Sequence, residues 1–189
     1  VSVGDITTEP TLRKALAIGA DDAVRIDTEA TDGWLVARQI AAYAKSEGFD
    51  LILAGKESID YNGGMVPGML ANLLSYNFVN ACIGLEIEGS TAMVTREIDG
   101  GKEILQTSFP LVIGGQKGLV EESDLRIPNM RGIMMARQKP LKVLEPVAEE
   151  PATRVNMYEK PPQKSACKII AAGDLDELIR LLHNEAKVI

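Results

Sequence analysis

The chain has 189 residues, of which 46% are hydrophobic and 4% aromatic, enough for one domain with a substantial core and an appendage. Its formal net charge of −7 argues against a nucleic-acid partner and against a membrane surface, and no apolar run is long enough for stable insertion in a bilayer. One histidine and two well-separated cysteines give no support for a metal site or a Cys–His nucleophile.

The first third of the chain alternates short apolar runs with helical patterns. Strands are predicted at residues 1–3, 23–26 and 51–54. Helices are predicted from Thr7 or Thr8 to Gly19 and from Thr31 or Asp32 to Gly48. Three strands alternating with two helices predict a doubly wound, mainly parallel α/β sheet.

The pattern changes after a third predicted helix at residues 65–74. Strands are predicted at 78–87, 92–98 and 103–109, with turn signals at Gly89-Ser90 and Asp99-Gly100-Gly101, and these form an antiparallel ribbon. A further apolar run at 111–113 ends in two glycines, and residues 116–142 show little periodicity. We therefore assign residues 1–144 to one α/β domain.

Residues 145–189 read as an extended arm followed by a helix. Most of the remaining prolines lie in 145–164, and an amphipathic helix is predicted from about Asp174 to Ala186. Such a segment either folds back on its own domain or lies against another subunit, and we favour subunit association. The opening Val1-Ser2-Val3 resembles a strand entered midway, so we expect upstream residues that supply the first strands.

A glycine-bearing loop follows the strand predicted at residues 51–54. In open α/β sheets, ligands bind beyond the carboxyl ends of such strands. Backbone N–H groups near Gly55, Gly63 and Gly64 would face an anion with no side chain in the way, and Lys56 adds a positive charge. Asp60 and Asn62 offer hydrogen bonds to a ribose or base. The same composition is typical of an ordinary strand-to-helix turn, so spacing alone leaves both interpretations open.

Several segments together resemble the beta subunit of electron transfer flavoprotein. The most characteristic is the hairpin sequence Arg96-Glu97-Ile98-Asp99-Gly100-Gly101-Lys102-Glu103. Residues 12–21, the loop from Gly55 to Asp60, and Ile133-Met134 with Ala136-Arg137 match in the family order. The resemblance covers essentially the whole chain and implies a fold close to that of adenine nucleotide alpha-hydrolase-like proteins. It also implies about sixty further residues upstream.

The resemblance implies a heterodimer whose alpha subunit holds most of a redox-active FAD. The beta subunit then holds a structural AMP, or a second FAD in electron-bifurcating members. By position, the resemblance assigns nucleotide binding to Val3, Gly55, Lys56, Glu57, Ser58, Ile59, Asp60, Tyr61, Asn62, Gly63, Gly64, Met65 and Val66. Met65 stands where the family often has Gln, so the contacts at that position are expected to differ.

Residues 124–134 resemble the family's recognition loop, which docks onto partner dehydrogenases by burying one apolar side chain. Alignment through Arg126 and Ile133 places Met130 at the anchoring position, next to Arg131. Methionine suits this role because it is flexible and fills pockets of varied shape. Alternatively, Met130 packs on its own domain.

The resemblance thus implies an electron carrier without catalytic residues of its own. It would take electrons from acyl-CoA or related dehydrogenases and pass them to electron transfer flavoprotein-quinone oxidoreductase, in a bacterial cytoplasm or a mitochondrial matrix. One alternative is an electron-bifurcating subunit that carries a second FAD and oxidises NADH. The other is a stand-alone nucleotide-binding module of universal-stress type, although its phosphate loop has no counterpart after Gly118.

Overall fold

The computed structural model describes residues 1–59, 62–164 and 166–189. They divide into two units, Val1–Arg154 and Val155–Ile189. The first unit contains β1 (Ser2–Val3), α1 (Glu9–Ile18), β2 (Ala23–Ile26), α2 (Gly33–Glu47), β3 (Leu51–Gly55), α3 (Val66–Leu74), β4 (Asn77–Glu88), β5 (Thr91–Ile98), β6 (Gly101–Ser108), β7 (Leu111–Gly115), α4 (Met130–Ala136) and β8 (Leu141–Leu144). The second contains α5 (Leu175–Leu181), continued by a π-helical segment, Leu182–Ala186.

The mainly parallel α/β fold is confirmed, and its strands form two hydrogen-bonded sheets. A three-stranded parallel sheet has the order β1-β2-β8, and a five-stranded sheet has the order β3-β7-β4-β5-β6. In the larger sheet β3, β7 and the start of β4 run parallel, whereas β4, β5 and β6 form the predicted antiparallel ribbon. Glycines with positive φ, Gly89 and Gly100, make its two turns as the sequence predicts.

The bounds of α3 and both ends of α2 lie close to the positions that the sequence predicts. The Asp32 carboxylate accepts a hydrogen bond of 2.8 Å from the Leu35 N–H and so caps α2, which ends at Gly48 with φ of 70°. The start of α1 differs from the prediction. Thr8 makes no side-chain cap, and Asp5 instead caps a 3-10 turn, Ile6–Thr8, that leads into the helix.

One element lies inside the region that shows little periodicity, residues 116–142, and another begins at its end. Asn129 caps α4 by accepting a hydrogen bond of 2.8 Å from the Gly132 N–H. After Pro140, β8 pairs in parallel with the whole of β2. The weak periodicity over 116–142 thus gave no sign of either element.

Residues 145–154 belong to the first unit, so the boundary lies ten residues beyond the predicted 144/145 division. The side-chain amide of Gln39 donates to the Val147 carbonyl at 2.9 Å and accepts from its N–H at 2.8 Å. Thr153 donates its N–H to Asp32 at 2.7 Å, and Arg38 pairs with Glu149. We call residues 145–154 the strap, because these bonds hold it along α2.

Three apolar clusters form the core. One lies among β4, β5 and β7, another between α1, β2 and α4, and the third between α2 and α3. Across the described ranges, no helix is long and apolar enough to cross a membrane.

Candidate functional site

The loop predicted to bind a nucleotide begins where β3 and β7 end together. Gly55 pairs with Gly115, and the Lys56 N–H continues the ladder by donating to the Gly115 carbonyl at 2.9 Å. The loop then closes on itself, because Ser58 and Gly63 exchange backbone hydrogen bonds of 2.9 and 3.2 Å. The Gly63 N–H is therefore already used within the loop, which leaves the start of α3 as the better source of free donors.

The outer side of this loop is open to close backbone approach. A Cβ built at Gly63 would have no described atom within 4 Å, and one built at Gly64 would lie 3.5 Å from the Lys56 carbonyl oxygen. The first turn of α3 also presents N–H groups without partners inside the helix, apart from Pro67, which has none. This arrangement fits an anion such as a nucleotide phosphate, held by backbone donors.

The ammonium group of Lys56 is hydrogen-bonded to another side chain of the protein. Its Nζ donates to Gln116 Oε1 at 2.9 Å, and the Gln116 amide nitrogen donates in turn to Glu97. The chain of three side chains links the loop to the antiparallel ribbon and sets a carboxylate near the ammonium group. Sequence reasoning missed Gln116, whose only signal is its place directly after Gly114-Gly115.

A cavity of about 430 Å³ runs along the free side of β3. Gly55 and Val66 line one end of it, and apolar residues of α2 and β3 line most of the rest. Val1 also lines the cavity, whereas Val3 is buried in β1, where it pairs with Ile26. The structure therefore brings Gly55 and Val66 to one cavity. Val3 does not line that cavity, although Val1, two residues earlier, does.

The remaining loop residues are mostly exposed to solvent. Glu57, Ser58, Ile59, Asn62 and Gly64 lie at the surface, and Asn62 has a positive φ of 50°. Asp60 and Tyr61, which the sequence also assigns to nucleotide binding, lie outside the described residues.

Met65, where the family often has Gln, contacts the start of α2. A Cβ built at Gly33 would lie 2.9 Å from Met65 Cγ and 3.2 Å from its Sδ. The side chain thus rests on a glycine that leaves just enough room for it. This apolar contact connects the loop between β3 and α3 to the N-terminal end of α2.

Asn80 is a second residue that sequence reasoning missed. Its Oδ1 is buried and has no hydrogen-bond partner in the described part of the chain. A side chain at Gly114 would collide with that oxygen, so the glycine makes room for the amide. Asn80 precedes Ala81, whose positive φ of 56° marks the bulge where β4 changes partner from β7 to β5.

Within the described ranges, no three His, Cys, Asp or Glu side chains converge in a way that could hold a metal ion. Cys82 lies near the site, since its carbonyl accepts from the Gln116 N–H at 2.9 Å. Burial raises the pKa of the Cys82 thiol, which keeps it in the unreactive neutral form.

The residues predicted to dock a partner lie on and before α4. Met130, its first residue, is 76% exposed, and Arg126, Arg131 and Ile133 also lie at the surface. The opposite side of α4 packs on α1 so closely that a Cβ at Gly132 would lie 2.5 Å from the Ala17 carbonyl oxygen. The helix is therefore fixed on one side and exposes methionines on the other.

A family model described as "Electron transfer flavoprotein domain" matches residues 1–149. The chain is 38% identical to electron transfer flavoprotein subunit beta of Bacillus subtilis, over all of this chain and 78% of that protein. It is 34% identical to the same subunit of Syntrophomonas wolfei, over 88% of this chain and 65% of that protein. It is 33% identical to the human subunit, over 93% of this chain and 71% of that protein.

Proposed function

The chain belongs to the family of electron transfer flavoprotein beta subunits, and from that membership we propose that it works in a heterodimer with an alpha subunit that holds most of a FAD. The flavin would supply the redox chemistry, and this chain would supply binding and orientation. Electrons would come from acyl-CoA or related dehydrogenases and leave to electron transfer flavoprotein-quinone oxidoreductase. Location in a bacterial cytoplasm or a mitochondrial matrix stays a prediction.

The open loop between β3 and α3 is the observation that carries the nucleotide part of the proposal. Backbone N–H groups at the start of α3 would meet the phosphate of AMP, while Lys56 stays bonded to Gln116. The uncommitted oxygen of Asn80 adds a buried polar group beside Gly114, near the carboxyl end of β7. The electron-bifurcating alternative uses the same loop for the AMP half of a second FAD.

The nucleotide content of the purified heterodimer tests this part. Acid extraction followed by chromatography, together with the flavin absorbance, is expected to give one FAD and one AMP per heterodimer. Two flavins and no AMP would favour the bifurcating alternative. ATP without flavin would contradict membership of a flavoprotein complex and would favour the universal-stress alternative.

Gly63→Val tests the loop itself. The structure leaves the space around Gly63 open, so the added side chain would obstruct the bound nucleotide without a clash inside the chain. Gly101→Val is the matched control, because a Cβ there also meets no described atom within 4 Å. We expect loss of AMP only in Gly63→Val, and full AMP content in both variants would contradict the assignment.

Subunit association is the proposed role of residues 155–189. Along α5, the apolar residues Leu175, Leu178 and Ile179 share one helix face and are all exposed. An uncovered apolar face of this kind favours a partner surface, here the alpha subunit. Deletion of residues 174–189 is expected to weaken the heterodimer in size-exclusion chromatography and to leave the far-UV circular dichroism of the first unit intact. An unchanged heterodimer would refute this role.

Met130 is the proposed anchor for partner dehydrogenases. Truncating an interface hot spot typically lowers the binding free energy by about 2 kcal/mol or more. A change of about 1.4 kcal/mol corresponds to a tenfold change in the binding constant. Met130→Ala is therefore expected to lower the kcat/KM for reduction by an acyl-CoA dehydrogenase at least about tenfold, with unchanged Tm and flavin content. Ile104→Ala, at a residue 67% exposed on β6, is the matched control. Normal partner kinetics with a lowered Tm would make Met130 an ordinary packing residue.

A further inference from the structure

We propose that the groove between α1 and α4 receives an acidic, apolar-flanked segment of the partner protein that docks at Met130. The inference rests on the proposed docking function and extends it from one apolar anchor to a second, charge-selective contact. The groove has a volume of about 550 Å³ and lies beside the first turns of α4. It is lined by Pro10, Arg13, Lys14, Ala17, Pro128, Ile133, Ala136 and Arg137.

The walls of the groove are fixed by reciprocal capping of its two helices. Arg13 of α1 donates to the Ala136 and Lys139 carbonyls at 2.7 and 2.8 Å, at the C-terminal end of α4. Lys139 donates to the Leu16 and Ala20 carbonyls at 3.1 and 2.5 Å, at the C-terminal end of α1. Arg13 of α1 and Lys139, three residues beyond the end of α4, thus each satisfy carbonyls at the C-terminal end of the other helix. A groove built in this way is preformed and needs little ordering when a partner binds.

The charge of the groove selects a carboxylate. Three of the described residues that line it are cations, and none is acidic, although the chain as a whole carries a net charge of −7. Arg13 is engaged with carbonyls, but Lys14 and Arg137 are exposed and form no ion pair within the described residues. Two unpaired cations above an apolar floor suit an acidic side chain with apolar neighbours.

The surroundings favour a protein over a small molecule as the source of that carboxylate. The groove continues into exposed apolar residues, among them Ile127, which is 83% exposed, and Met130, which is 76% exposed. Side chains such as Met134 extend this surface along α4. A small carboxylate inside the groove would leave these neighbours in water, whereas a protein surface would cover both.

Zero-length cross-linking tests the contact directly. A carbodiimide joins a lysine amine to a carboxylate only when the two groups touch as an ion pair. The intact heterodimer is mixed with an acyl-CoA dehydrogenase of its source organism, and cross-linked peptides are mapped by mass spectrometry. We expect an amide between Lys14 and a glutamate or aspartate of the dehydrogenase. A cross-link from Lys14 to the alpha subunit, or none at Lys14, would overturn the proposal.

Charge reversal provides the second test. Lys14→Glu with Arg137→Glu is expected to raise the KM for the reduced dehydrogenase about tenfold or more at low ionic strength, with little change in kcat, since charged rims act mainly on association. The difference should shrink in high salt as screening increases. Lys45→Glu, at an exposed lysine in the last turn of α2, is the matched control and should keep the KM unchanged.

The outcomes separate this inference from the proposed function. If Met130→Ala impairs docking and the charge reversal does not, the groove proposal is overturned while the anchor stands. If neither variant affects the dehydrogenase, both fail. Saturable binding of octanoate to the heterodimer, together with an unchanged KM in the charge-reversed variant, would make the groove a small-carboxylate site and overturn the proposal.

Discussion

Gln39 makes two of the hydrogen bonds that attach the strap to α2, and Gln39→Leu is the variant that tests them. Gln39 is 2% exposed, and both ends of its amide are bonded to the Val147 backbone, at 2.9 and 2.8 Å. Leucine keeps the side-chain volume but offers neither a donor nor an acceptor. A hydrogen bond of this kind contributes about 1 kcal/mol net, so the loss of two should lower the free energy of unfolding by about 2 kcal/mol. For a domain of this size that corresponds to a fall in Tm of about 4–8 °C.

Hydrogen exchange distinguishes release of the strap from general loosening of the fold. The Val147 amide should exchange much faster in Gln39→Leu, while the amides of β4 and β7 keep their protection. Arg38→Gln is the comparison variant, because it leaves the Gln39–Val147 bonds in place. It removes the partly exposed ion pair with Glu149 and the contact of the guanidinium with the Trp34 ring, at 5.6 Å from its centroid, and such contacts contribute about 0–1 kcal/mol each. Unchanged exchange at Val147 in Gln39→Leu would refute the reasoning, whatever happens to the Tm.

Two further variants test the helix ends and the α1–α4 contact. Burial acts to raise the pKa of Asp32, but hydrogen bonds from Leu35 and Thr153 outweigh it and hold the pKa below its usual value. The stabilisation by the ionised Asp32 is therefore complete above the unfolded-state pKa and is lost as the pH falls below about 4. In urea unfolding, Asp32→Asn should have a lower free energy of unfolding than the native chain at pH 7, and the two values should converge in acid. Gly132→Ala should lower the Tm, because the added Cβ would lie 2.5 Å from the Ala17 carbonyl oxygen. Overpacking of this kind costs about 1–3 kcal/mol. An unchanged Tm would show that α4 shifts away from α1 without cost.

The fold was predictable where the determining interactions are local. The N-cap at Asp32, the stop at Gly48 and the turn glycines of the ribbon each act within a few residues, and all three are confirmed. The missed strand, β8, is only four residues long and is defined by its pairing with β2, more than a hundred residues earlier in the chain. Likewise α4 has only seven residues, too few for a helical period to be distinguished from an irregular apolar segment.

The same distinction applies to the candidate sites. The glycine loop is visible in the sequence because its glycines and its position after a strand are local features. The hydrogen bond of the Lys56 ammonium group cannot be read from the sequence, because its partner Gln116 lies 60 positions away. The capping of α4 by Arg13 spans 123 positions, so the groove could not be inferred from the segment that resembles a recognition loop.

The cations of the two proposed sites are held in opposite ways, and this sets how each site would select its ligand. At the loop between β3 and α3, the Lys56 ammonium group donates to Gln116, whose amide donates in turn to Glu97, so the cation is held inside a side-chain network. Binding there would depend on backbone donors and shape, which suits a ligand that stays bound. At the groove, Lys14 and Arg137 are exposed without acidic partners among the described residues, so their field reaches into solvent. Unpaired surface charge accelerates encounter and is screened by salt, which suits a partner that must arrive and leave in every cycle.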